Sequence, residues 1–111
     1  MLPALNQKLL VEAFAEDATG TTPFAFRNVG VLETTHQIRW NAGVSSGVVD
    51  IETAEDETYT GTWAPVATVT FTGTAPKTDY VRVQGAYNAL RHRISTIITD
   101  GTVTTRIQGS V

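Results

Sequence analysis

Short runs of β-forming residues, separated by glycine, proline, asparagine or aspartate, recur along the chain and restrict it to an all-β fold. Several of these runs alternate apolar and polar residues, as strands do when one face is buried. In one run, Val49 and Ile51 face inward while Asp50 and Glu52 face outward. The pattern predicts a single antiparallel β-sandwich or jelly-roll-like domain of about eight strands. The predicted strands are residues 8–15, 22–28, 35–40, 46–53, 63–72, 79–84, 89–99 and 102–108.

The length of 111 residues is typical of one domain, so residues 1–111 are assigned to a single β-sandwich. Residues 1–20 are expected to form an N-terminal arm or the first strand. The run at 8–15 fits a helical as well as a strand period, and the strand is favoured. Near the other end, Asp100-Gly101 is the strongest hairpin signal, and it predicts that 89–99 pairs with 102–108.

Composition excludes several classes of site. The chain has no cysteine, which excludes disulfides, thiolate zinc sites and a cysteine nucleophile. Only 17% of residues are charged, and the net charge is −3. A surface rich in neutral Thr, Ser, Gln and Asn loses less on desolvation than an ionic one, so it suits contact with other proteins. Nucleic acid is not an expected partner, because phosphate binding needs a concentrated basic face.

No continuous apolar stretch occurs near the N-terminus, where Asn6, Gln7 and Lys8 stand. We therefore expect neither a signal peptide nor a membrane span, and we expect synthesis in a cytoplasm.

An acidic run at residues 50–57 contains five carboxylates and raises the possibility of a Ca²⁺ site. Its spacing does not match an EF-hand, so a solvated turn is preferred. His36 and His92 belong to different predicted strands without local ligand spacing, and structural roles are preferred to a metal or acid/base site. No nucleophile, base and orienting group occur together, so no enzyme, cofactor or metal is expected.

Three arginines are candidates for an interface. Arg91 and Arg93 fall on one side of their predicted strand, and the expected hairpin would bring Arg106 beside them. The three side chains would then form a positive stripe suited to ion pairs between subunits, although exposed strand decoration is an equal alternative.

The aromatic residues allow two interpretations. Tyr59, Trp63, Tyr80 and Tyr87 could line a carbohydrate groove if they are exposed and coplanar. More often a tryptophan after a Gly-Thr turn is a core anchor, with tyrosines at the wet ends of strands. The core reading is preferred, and Tyr80 and Tyr87 join the three arginines as candidate interface residues.

The second half of the chain resembles small structural proteins of tailed bacteriophages, of the capsid-decoration or cement type. The resemblance covers about two-thirds of the chain and is one of pattern. It rests on the runs GVVDIE (47–52), YTGTW (59–63), VATV (66–69), YNALRHRI (87–94) and DGTVT (100–104).

This resemblance implies a virion structural protein on the capsid surface that is made in the host cytoplasm. It implies binding to the major capsid protein or to other virion proteins, bridging of neighbouring subunits and homo-oligomer formation. It implies no cofactor, nucleic acid or membrane. The alternative is a carbohydrate- or receptor-binding module of a phage tail or fibre.

Overall fold

The computed structural model describes residues 8–14, 20–21, 26–27, 32–56 and 58–110, with side chains for 32–56 and 58–109. All regular structure in these residues is β-strand. The strands are β1 (Lys8–Phe14), β2 (Gly20–Thr21), β3 (Phe26–Arg27), β4 (Glu33–Trp40), β5 (Ser46–Ala54), β6 (Ala64–Thr70), β7 (Lys77–Gln84), β8 (Ala89–Thr99) and β9 (Val103–Ser110). No helix in the described residues is long and apolar enough to cross a membrane.

The six strands from β4 onward form two three-stranded antiparallel sheets. In the first, called sheet I, β4 lies between β9 and β7. In the second, sheet II, β5 lies between β8 and β6. The earlier strands extend these sheets: β1 pairs with β9, and β2 and β3 each pair with β8. The all-β prediction is therefore confirmed.

The predicted number of about eight strands is corrected, since six strands form the two central sheets and three further strands extend them. Of the strand expected at 22–28, Phe26–Arg27 is observed as β3, and the short strand β2 precedes the predicted range. Residues 22–25 and 28 lie outside the described residues. The part of the N-terminal prediction that concerns residues 1–7 and 15–19 lies outside the described residues.

Apolar side chains from both sheets meet in two clusters, which gives a sandwich-like arrangement. Trp40 is fully buried in the first cluster, and Leu90 is fully buried in the second. The first cluster comprises Ile38, Trp40, Val44, Val49, Val69, Ile94, Ile98 and Val103. The second comprises Ile51, Val83, Leu90 and Ile107. Each cluster contains residues of both sheets. The inward-facing residues of the two sheets therefore pack against each other in the interior of the sandwich.

The expected hairpin at Asp100-Gly101 is wrong. The turn exists, and Asp100 has a positive φ of 65°. However, β8 pairs with β5 in sheet II, whereas β9 pairs with β4 and β1 in sheet I. The turn therefore carries the chain from one sheet to the other. Turn residues set a local change of direction, but they do not decide which strand becomes the neighbour.

Candidate interaction surfaces

The predicted interface residues lie on different parts of the molecule. Arg91 and Arg93 are on β8 in sheet II, while Arg106 is on β9 and Tyr80 is on β7, both in sheet I. The predicted stripe of three arginines is wrong, because β8 and β9 belong to different sheets. Tyr87, in the β7–β8 connection, is partly buried against the second core cluster.

The outer face of sheet I carries a row of outward-facing residues across three neighbouring strands. Tyr80 on β7 is in register with Gln37 on β4, which is in register with Arg106 on β9. Tyr80 is 67% exposed, and Arg106 is also exposed. Side chains in such register lie close enough to act together on a partner.

Arg39 adds a second exposed cation to this face, one alternation along β4 from Gln37. Among the described side chains, neither Arg39 nor Arg106 forms an ion pair. A third cation, Arg82, is instead paired: its Nε donates to Glu33 Oε2 at 2.6 Å. Tyr80, Gln37, Arg39 and Arg106 are called the sheet I patch below. It combines an aromatic ring with two available guanidinium groups, which are residue types enriched in protein interfaces.

The outer face of sheet II contains a cleft of about 420 Å³. At its base, Arg91 Nε donates to Glu52 Oε1 at 2.9 Å, and the guanidinium lies 4.3 Å from the ring centroid of Trp63. Arg93 is more distant, with 3.9 Å from its Nη1 to Glu52 Oε2. The remaining residues of the cleft are Asp50, Gly61, Thr62 and Pro65. Two acids and two arginines balance in charge, so the cleft offers hydrogen-bonding groups without a strong net charge.

Glu52 lies on the outer side of sheet II, as the predicted alternation requires, but its side chain is covered by its neighbours. Its residue exposure is only 5%. The β5–β6 register shifts next to Glu52 because β6 carries one additional residue, Val66, whereas the pairing of β5 with β8 is regular there. Arg91 covers the carboxylate and supplies the charge that burial requires.

Trp63 is buried, as the core interpretation predicts, but it belongs to neither of the two core clusters. Its indole Nε1 donates to the backbone oxygen of Tyr59 at 3.0 Å, and its ring lies under Arg91. Of the four aromatic residues considered for a carbohydrate groove, only Tyr80 is exposed, and it is in the other sheet. The exposed coplanar platform that the carbohydrate alternative requires is not formed by these four residues.

A buried histidine pair connects the two sheets. His36 Nδ1, from sheet I, lies 2.8 Å from His92 Nε2, from sheet II, and Thr34 Oγ1 lies 2.7 Å from His36 Nε2. Burial lowers the pKa of His36 to about 4. Burial, and then the charge of His36, hold the pKa of His92 well below its usual value. Both rings are therefore neutral near pH 7, and one facing nitrogen donates to the other.

The sequence treated the histidines separately, although a signal for the pair existed. His36 shares the inward parity of Ile38, and His92 shares that of Leu90 and Ile94. Two inward-facing imidazoles in the interior of a thin sandwich are good candidates for contact. The sequence does not show, however, which positions of two distant strands lie opposite each other.

The acidic loop is organised locally. Asp56 Oδ1 accepts hydrogen bonds from the backbone N–H and the hydroxyl of Thr58, both at 2.7 Å. Glu57 lies outside the described residues. Among the residues that the structure describes, no group of three or more His, Asp or Glu side chains is arranged to hold a metal ion.

Comparison with known proteins identifies similar folds without a sequence family. No family model matches, and no curated protein matches. The SPBc2 prophage-derived protein YomS has a similar structure, with a TM-score of 0.61, 13% identity and coverage of 100% of both chains. A subunit from a structure described as Bacillus endospore appendages, a novel family of disulfide-linked pili, gives a TM-score of 0.57 at 13% identity. That match covers 96% of this chain and 88% of the other.

Proposed function

We propose that this chain is a structural protein of a tailed-bacteriophage virion, a decoration module that binds the capsid surface through the sheet I patch. The observation that carries the proposal is the outward-facing row of Tyr80, Gln37 and Arg106, with Arg39 beside it. Among the described side chains, Arg39 and Arg106 form no ion pair. The fold likeness to a prophage-derived protein supports the same assignment at a coarser level, a phage-derived structural protein.

The order of the strands is compatible with this role. From β4 onward every step along the chain except β5 to β6 changes layer, and we interpret this order as a jelly-roll-like connection. Such a body presents one outer face on each side. We infer that the sheet I face is the one that meets the shell, because the arginines of sheet II are directed to Glu52.

The proposed mechanism is mechanical. A module that binds two neighbouring capsid subunits only when they are closed lowers the free energy of the closed state, so local opening becomes rarer. No cofactor or catalytic group takes part. The proposed location is the capsid surface, reached after synthesis in the host cytoplasm, and the proposed partner is the major capsid protein or another virion protein.

Co-sedimentation with purified cognate capsid shells tests the proposal. We expect the wild-type protein to sediment with shells and to raise the temperature at which they break open. Arg106→Glu should weaken binding by about tenfold or more, whereas Arg93→Glu, with the same change of charge on the opposite sheet, should leave it nearly unchanged. Failure of the wild-type protein to bind shells contradicts the function. Loss of binding in Arg93→Glu alone contradicts the choice of face.

A carbohydrate-binding module is the rival function, and it makes a different prediction. Quenching of tryptophan fluorescence should be strong and should fall on addition of the right glycan if Trp63 contacts sugar. The burial of Trp40 and Trp63 supports weak quenching that glycans do not change.

A further inference from the structure

The outer edge of sheet I is a long strand with one side unpaired in the described part of the chain. β7 spans eight residues and pairs with β4 only, since no other described strand lies beyond it. It contains no proline. The opposite sheet has a less regular edge in β6, where Pro65 and the register shift near Glu52 interrupt the ladder. β7 is therefore the better template for strand addition.

The register shows which backbone groups of β7 face outward. Gly85 N–H donates to the Leu32 carbonyl at 3.0 Å, next to the register pair Glu33 and Gln84. Hydrogen-bonded pairs alternate along an antiparallel ladder, so the N–H and C=O groups of Val81 and Val83 point toward β4. The groups that point to the open edge are those of Thr78, Tyr80, Arg82 and Gln84.

A second copy of the same strand matches this edge. In a continuous antiparallel sheet, residues placed opposite each other share a face, so only every second register is allowed. In one of these registers, all four residues whose backbone groups point to the open edge lie opposite the same four residues of the partner. It places Val81 on the two-fold axis, Tyr80 opposite the partner's Arg82, and Thr78 opposite the partner's Gln84.

We propose that two copies of this chain join antiparallel through β7, with Val81 at the two-fold axis, and form one continuous eight-stranded sheet from their two copies of sheet I and of the β1 strand that extends it.

The side chains are complementary in this arrangement. The Tyr80 ring of each copy faces the partner's Arg82, a favourable cation–π pairing. Arg82 is 66% exposed on its side chain while it holds Glu33, so its guanidinium is accessible. No two like charges are placed opposite each other. The acid on the inner side of the strand, Asp79, accepts a hydrogen bond from Trp40 Nε1 at 2.8 Å and so remains directed into its own subunit.

The dimer does not depend on the proposed function, and a disulfide test examines it directly because the chain has no cysteine. In the proposed register the two Val81 Cα atoms are about 4.5 Å apart, which is within disulfide range. We expect Val81→Cys to form a covalent dimer on mild oxidation. Thr78→Cys is the control, since its two copies would be about 20 Å apart. Equal crosslinking of both variants, or of neither, overturns the proposal.

Sedimentation and amide exchange give a second readout on the wild-type protein. Raising the concentration should slow exchange at the amides of Tyr80 and Arg82, while the amides of Val81 and Val83 stay protected throughout. Arg82→Pro removes an outward N–H without touching the β4 ladder, so it should weaken dimerisation by about tenfold or more. Arg82→Ala should weaken it less. A wild-type protein that stays monomeric at its highest soluble concentration, or an Arg82→Pro variant that dimerises normally, overturns the proposal.

Discussion

His36 and His92 join the two sheets of this protein through a side-chain hydrogen bond of 2.8 Å across the interior. They are 56 positions apart in the sequence. Each occupies an inward position that would otherwise hold an apolar residue, and Thr34 continues the chain of hydrogen bonds on the side of His36. A polar bridge of this kind is stable while both rings are neutral, because a buried charge would be strongly disfavoured.

Acidification should destabilise the protein. In the unfolded chain both histidines titrate near 6.5, whereas in the folded chain the pKa of His36 is about 4 and that of His92 is also lowered. The unfolded state therefore binds more protons below pH 6.5, and stability falls as the pH drops from 6.5 towards 4. His36 alone should account for about 3 kcal/mol over this window. Denaturant unfolding at several pH values measures the loss.

The corresponding control is the double variant His36→Leu/His92→Leu, which should lose this part of the pH dependence. NMR titration of the wild-type imidazoles provides an independent check. Ring signals that titrate near pH 6.5 in the folded protein would contradict the expected neutral pair.

Replacement of the two histidines should be strongly non-additive. His92→Leu leaves His36 Nδ1 buried without its partner and should cost about 1–3 kcal/mol. The double replacement with leucine removes both polar rings, so its cost should be smaller than the sum of the two single costs by roughly 1–2 kcal/mol. A double-mutant cycle at pH 7.5 measures the coupling. Strict additivity would mean that the hydrogen bond contributes nothing.

Two ion pairs should differ in their contribution to stability. Glu52 and Arg91 have side-chain exposures of 7% and 22%, whereas Glu33 and Arg82 have 35% and 66%. Glu52→Gln should cost roughly 1–2 kcal/mol, because it leaves a partly buried arginine without its counter-charge. Glu33→Gln should cost less than about 0.5 kcal/mol, since water screens this pair. Equal losses in chemical denaturation would contradict the assigned burial of Glu52.

Neighbouring isoleucines on β8 offer a matched test of the layer arrangement. Ile98 is fully buried in the first core cluster, while Ile97 is 43% exposed. Ile98→Ala should reduce the free energy of unfolding by about 2–5 kcal/mol, through lost burial and the cavity left behind. Ile97→Ala should change it by less than about 1 kcal/mol. Thermal and urea melts of the two variants measure the two losses. A larger loss for Ile97→Ala than for Ile98→Ala would contradict the assignment of which face of β8 is buried.

Several parts of the fold were accessible from the sequence because they depend on neighbouring residues only. Alternation along the chain placed Val49, Ile51, Leu90, Ile94, Ile98, Val103 and Ile107 inward, and all of them are buried. Glu52 keeps the outward position that this pattern assigns to it, yet it is buried as well. Its burial follows from the contact with Arg91 on the neighbouring strand β8, which cannot be read from a single strand.

The sequence by itself determined that this chain is built from short strands with one apolar face, since that property is set by side chains two residues apart. Only the tertiary structure decided which strands became neighbours, and so placed Arg106 in a different sheet from Arg91 and brought His36 to His92. The physical reason is that pairing is chosen by the free energy of burying all inner faces together. A local turn such as Asp100-Gly101 permits several pairings of which packing selects one.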